Sequence, residues 1–147
     1  MSHGRHVKVV GKGAPELLRE VQGVRRFLES MVERLGMRCL GEPHMYEVEE
    51  EIHKMHAEPF EDEGGTTGVV VLSTSHCAIH TWPLRSFFVM DVYSCRDFEV
   101  EVVERTLAEC FGAHSMRVTD LSHALIPHAD SAPASEDNSA SATIAQA

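Results

Sequence analysis

The chain has 147 residues, 43% of them hydrophobic, and a formal net charge of −10. That charge excludes the basic surface that nucleic acid or an anionic membrane would need, and no apolar run is long enough to span a bilayer. One domain with a sizeable core is expected, small enough to favour an oligomer.

The first residues, MSHGRHVKVV, carry no apolar signal core, so the cytoplasm is the expected compartment. The four cysteines, Cys39, Cys77, Cys95 and Cys110, form no C-x-x-C pair and are expected to be free thiols. No metal is expected.

Residues 5–10, RHVKVV, read as a strand, and Gly11 to Pro15 as a turn into a helix. Leu17, Leu18, Val21, Val24, Leu28, Met31, Val32 and Leu35 recur at steps of three and four, with Phe27 widening the face, which predicts one core-facing helix ended by Gly36. Met37–Leu40 and Met45–Val48 read as strand fragments around Pro43, and the acidic run over 47–63 as a solvated strand end and loop. Thr67–Ser73 is β-branched and reads as a buried strand, followed by strands over His76–Trp82 and Ser86–Ser94 with Pro83 in the turn between them. Asp97 is placed as the N-cap of a second helix, whose apolar face is Val100, Val103, Leu107, Cys110 and Phe111 and whose stop is Gly112. A last strand covers Ser115–Leu121.

The order β-α-β-β-β-β-α-β predicts an α+β fold: a two-layer sandwich with an antiparallel sheet and two helices on one face. The other face then needs cover, and sheet-to-sheet packing in a dimer would supply it. The folded domain is expected over 1–128. From Ala129 to Ala147 the chain is small and polar and is expected to be a disordered tail.

The chemistry concentrates in Ser73-Thr-Ser-His-Cys-Ala-Ile-His-Thr-Trp-Pro83. Ser75 and His80 are of the residue types that make a nucleophile and acid/base pair, but five residues along a strand span roughly 16 Å and set them on opposite faces. No G-x-S-x-G elbow supports a hydrolase. His76 and His80 share a face, too far apart to chelate one ion readily. His44, His53 and His56 read as surface or loop histidines, Cys39, Cys77 and Cys110 as small packing residues, and Trp82 and Phe60 as packing or anchoring groups.

Thr67-Gly-Val-Val-Val-Leu-Ser-Thr-Ser-His-Cys-Ala-Ile-His-Thr-Trp-Pro83, followed by Asp91-Val-Tyr-Ser-Cys95 and preceded by Gly4-Arg5-His6, resembles the bacterial and archaeal S-adenosylmethionine decarboxylases. The resemblance implies a carboxy-lyase of polyamine and spermidine biosynthesis, made as a proenzyme (a zymogen) that cuts itself between Thr74 and Ser75. It implies that Ser75 becomes a pyruvoyl cofactor, which forms a Schiff base with the substrate amine. His80 would be the acid/base of processing, Thr67 its assisting hydroxyl, and Cys95 the proton donor to the product. It also implies a homodimer with composite active sites, so that His80 serves the partner's Ser75.

The chain departs from the family pattern at Thr74, where glutamate is usual, and at Leu84, where the family has a glutamate that binds ribose hydroxyls. Arg85 adds positive charge beside that position. Three expectations follow: decarboxylation of S-adenosylmethionine; the same chemistry on a small cationic amino acid such as arginine or ornithine; or an unprocessed, non-catalytic homologue.

Overall fold

The computed structural model describes residues 4–53 and 60–122, with the side chains among them except those at 51–53 and 60–62. The expected tail from Ala129, His56, and the side chains of His53 and Phe60 lie outside the described residues.

The elements run β1 (Arg5–Lys12), α1 (Pro15–Arg19), α2 (Val21–Arg34), β2 (His44–His53), β3 (Phe60–Leu72), β4 (Ser75–Trp82), a 3-10 turn (Pro83–Arg85), β5 (Phe87–Ser94), α3 (Val100–Phe111) and β6 (His114–Asp120). The six strands form one sheet in the order β2-β3-β4-β5-β1-β6, every pair antiparallel. Strand alternation decides what is buried. Val7, Val9, Val70, Leu72, Cys77, Ile79, Phe88, Met90 and Val92 join Leu18, Phe27, Leu28, Met31, Val103, Leu107 and Phe111 of the helices in one core.

α2 is held by its apolar face. Val24, Phe27, Leu28, Met31 and Val32 are buried, each stabilising by about 1.5–3 kcal/mol relative to exposure. The Phe27 and Phe111 rings, 4.8 Å apart, lock α2 to α3. Gly112 ends α3 at φ 60°, as a helix-stop glycine should.

Four sequence expectations are corrected. The single first helix is broken at Glu20, which is extended (φ −77°, ψ 106°). The carbonyl of Leu18 is taken by the Thr81 hydroxyl at 2.8 Å instead of continuing a helical ladder. Met37–Leu40 forms no strand, only an isolated bridge from Cys39 to Leu72. The acidic stretch is not merely a loop: β2 runs on to His53 and pairs with β3 from Phe60. Asp97 caps no helix; α3 follows Glu99, and Asp97 instead pairs with Arg5 at 2.9 Å.

Candidate active site

β3 and β4 are joined by a two-residue turn, Ser73-Thr74, with Leu72 opposite Ser75. Ser75 is thus the first residue of β4, and the Thr74–Ser75 peptide bond is the exit from the turn. Ser75 also stands opposite Ser94, the last residue of β5. The segment just beyond β5 therefore lies against the turn.

The end of β5 and the residue after it make three contacts with the turn and Ser75. The backbone N–H of Cys95 donates to the Thr74 carbonyl at 3.1 Å. The Cys95 sulfur lies 3.9 Å from Ser75 Oγ. The Ser94 hydroxyl lies 2.9 Å from Thr74 Oγ1 and accepts the Arg96 N–H at 3.0 Å. On the other side the Ser73 N–H donates to the Arg38 carbonyl at 2.9 Å. Cys95 is exposed, whereas Ser94 is fully buried.

The opening of the chain braces this corner. Gly4 has φ +78°, and a Cβ there would sit 2.7 Å from the Ser94 carbonyl oxygen, so a side chain would push β1 off the site. His6 Nε2 lies 2.7 Å from Asp91 Oδ2, and His76 Nε2 lies 3.4 Å from Asp91 Oδ1 on the opposite flank. Both imidazoles also contact the Tyr93 ring. Asp91 thus ties β1 and β4 to β5 on the sheet face opposite the buried Met90 and Val92.

His80 belongs to a different part of β4. It stands opposite Thr67, and its Nδ1 lies 3.1 Å from Thr67 Oγ1. This pair is exposed, beside a shallow hollow lined by Val48, Gly64, Gly65, Thr81 and Trp82. Within one chain the structure brings together Thr74, Ser75 and Cys95, and separately Thr67 and His80. It does not bring His80 to Ser75. Nor does it bring His76 to His80, which take different partners.

Below the Thr67–His80 pair, Thr81 is buried; it accepts the Thr66 N–H at 3.0 Å and donates to the Leu18 carbonyl. Gly65 lets β3 approach this strand: at φ +147°, a Cβ there would fall 1.9 Å from the Thr81 carbonyl oxygen.

The region after Trp82 departs from expectation in one respect. Arg85 does not present a free positive charge: Glu63 holds its guanidinium through both carboxylate oxygens, with Arg85 Nη2 2.6 Å from Glu63 Oε1. Each partner shifts the other; hydrogen bonding to Arg85 lowers the Glu63 pKa and raises that of Arg85. Leu84 is 58% exposed and borders a hollow of about 140 Å³ with Arg19, Glu47, Glu50 and Glu63. Burial pushes the Cys77 thiol up to about 12, which leaves it an inert packing residue. Among the described residues no three His, Cys, Asp or Glu side chains are grouped to hold a metal ion. No helix among them is long and apolar enough to cross a membrane.

Residues 5–123 match the S-adenosylmethionine decarboxylase family pattern. The chain belongs to that family. It is 25% identical over 127 residues to an S-adenosylmethionine decarboxylase proenzyme of Thermodesulfovibrio yellowstonii, covering 85% of this chain and 84% of that one. Matches to proenzymes of Pelotomaculum thermopropionicum and Carboxydothermus hydrogenoformans are more local. They are 40% identical over 65 residues and 48% over 54, covering 51% and 42% of those relatives and 43% and 35% of this chain. The fold is similar to the crystal structure of the adenosylmethionine decarboxylase of Aquifex aeolicus, with a TM-score of 0.65 at 21% identity, over 88% of this chain and 97% of that one.

Sequence reasoning missed Ser94 and the ties that His6 and His76 make to Asp91. The signal was present in the cross-strand register, which sets Ser94 opposite Ser75 and Tyr93 opposite both His6 and His76, but register cannot be counted before the turns are known.

Proposed function

We propose that the chain is a self-cleaving proenzyme that decarboxylates S-adenosylmethionine with a pyruvoyl group made from Ser75. The observation that carries this reading is the hydrogen bond from the Cys95 N–H to the Thr74 carbonyl, beside the Ser75 hydroxyl.

In the cleavage, Ser75 Oγ attacks the carbonyl carbon of Thr74. The Cys95 N–H meets the charge that develops on the carbonyl oxygen. The carbon–nitrogen bond breaks, and the hydroxyl proton passes to the freed nitrogen, leaving an ester. Loss of the Ser75 Cα proton then expels residues 1–74 with Thr74 as a carboxylate and leaves dehydroalanine. Tautomerisation, addition of water and loss of ammonia give the N-terminal pyruvoyl of the chain 75–147. The pyruvoyl supplies a carbonyl that takes up the substrate amine and accepts the electron pair released with carbon dioxide. Cys95 Sγ, which lies beside Ser75 before cleavage, protonates the carbon that carbon dioxide leaves.

His80 and Thr67 act on this site from a second copy of the chain. Support comes from the sheet face opposite the helices, where Val69, Val71, Ala78, Val89 and Tyr93 alternate with the core residues. Val71 is 45% exposed in the single chain. A two-fold pairing through this face would cover it and supply His80 to the partner's Ser75.

The arginine or ornithine reading is set aside, because the family and the relatives given above are named for S-adenosylmethionine. The non-catalytic reading is set aside because the relatives are named as proenzymes. With Leu84 in place of a carboxylate, Glu47 and Glu50 line that hollow beside Glu63, which is held by Arg85.

Intact mass and carbon dioxide release test the reading together. Two chains split between Thr74 and Ser75, with release from carboxyl-labelled S-adenosylmethionine, are expected. A single uncut chain of 16.3 kDa in fresh and aged protein would overturn it.

A further inference from the structure

The Ser73-Thr74 turn does not have the geometry that normally holds a two-residue hairpin loop. Such loops favour turns with positive φ, supplied by glycine or asparagine. Among the described residues, the non-glycine positive φ values belong to Ser86 and Ser115, so neither Ser73 nor Thr74 has one. The turn is held from outside, and its side-chain hold is the contact between Thr74 Oγ1 and Ser94 Oγ.

Ser94 is suited to that task. It is fully buried, and its oxygen already accepts the Arg96 N–H. Its hydroxyl is therefore fixed by the same short segment whose next residue, Cys95, donates its N–H to the Thr74 carbonyl. One residue of the turn is thus gripped at two points, hydroxyl by hydroxyl and carbonyl by amide. If the first contact is lost, Thr74 can rotate in the turn, and its carbonyl swings away from the N–H that polarises it.

Three hydroxyls in succession, Ser73, Thr74 and Ser75, each follow a carbonyl they could attack. Among the described residues, the Thr74 carbonyl alone of these three accepts a backbone N–H from outside the strand ladders. The bond after Thr74 is thereby singled out.

We infer that Thr74 and Ser94 form a hydroxyl clasp and are positioning residues for self-cleavage, aligning the Thr74 carbonyl on the Cys95 N–H for attack by Ser75. This rests on the self-cleavage reading above.

The test is a time course of intact mass after cell-free synthesis of the full chain and its variants. Thr74→Val and Ser94→Ala are expected to slow cleavage by about tenfold or more, the worth of one neutral hydrogen bond. Thr74→Ser and Ser94→Thr keep the hydroxyls and should stay within about threefold of the parent. Hydroxylamine, which cuts the ester directly, should not restore the rate of the slow variants, since the clasp acts before the ester forms. Thr74 is only partly buried, so Thr74→Val carries the test if Ser94→Ala fails to fold. Parental rates in Thr74→Val, or restoration by hydroxylamine, would overturn the clasp while leaving self-cleavage intact. A parent chain that never cleaves would overturn both.

Discussion

Cys95 meets Thr74 and Ser75 with two different groups: its backbone N–H donates to the Thr74 carbonyl at 3.1 Å, and its sulfur lies 3.9 Å from Ser75 Oγ. One residue thus touches both the bond proposed to be cut and the residue proposed to become the cofactor. The two contacts can be separated, because a side-chain substitution leaves the amide in place.

Cys95→Ala should therefore still be cut, at a rate within about threefold of the parent, because the polarising N–H survives. Its decarboxylation should fall by about 10²–10⁴, the usual contribution of a positioned proton donor. Mass spectrometry reads the first and carbon dioxide release the second. Equal loss of both would mean that the thiol itself takes part in cleavage.

The division of β4 leads to a second prediction. His80 lies opposite Thr67, and Ser75 opposite Leu72 and Ser94, so in one chain they work at opposite ends of the strand. If His80 serves the partner's Ser75, His80→Ala and Ser75→Ala are complementary lesions. Alone, the first should be cut slowly and the second not at all. Co-expressed with distinguishable tags, the His80→Ala chain should be cut at up to about the parental rate in mixed dimers. Absence of rescue in an isolated mixed dimer would place His80 at its own Ser75.

Much of this arrangement was legible in the sequence, for physical reasons. Strand alternation and the 3.6-residue period are local signals, and they gave the six strands and the apolar face of α2. The run from Thr67 to Cys95 carried the family and the residues proposed to react. What could not be read depends on contacts distant in sequence. The break at Glu20 exists because Thr81, 63 positions beyond Leu18, captures the Leu18 carbonyl. Asp97 looked like a cap by its neighbours, but Arg5 claims its carboxylate. Arg85 looked like a free charge until Glu63, from a stretch read as loop, came beside it.

Burial of Cys77 gives a dependence on pH. Its thiol is pushed up from 9.0 to about 12, chiefly by desolvation and further by Asp91. Below the unfolded value both states keep the proton and nothing is lost. As pH rises from about 9 towards 12, the unfolded chain releases the proton and the folded one does not, so stability falls by up to about 1.4 kcal/mol per pH unit. Urea titrations of Ser75→Ala, which stays one chain, should show this slope, and Cys77→Ala in that background should lessen it. At neutral pH iodoacetamide should label exposed Cys95 and spare Cys77. An unchanged slope in Cys77→Ala would assign the alkaline loss to other groups.

Thr81 is the residue on which the packing behind the site depends most. Its hydroxyl accepts the Thr66 N–H and donates to the Leu18 carbonyl, joining β3, β4 and α1 at one buried atom. Valine has nearly the same shape but can do neither. Thr81→Val would leave a buried N–H and a buried carbonyl without their partner, at about 1–3 kcal/mol each. In the uncut Ser75→Ala background, the loss should appear as a lower urea midpoint with an unchanged slope, about 2–6 kcal/mol in all. Thr81→Ser keeps the hydroxyl and loses only a methyl group, at about 1 kcal/mol. If Thr81→Val matched its parent, Leu18 would have another donor, and the break between α1 and α2 would need a different cause.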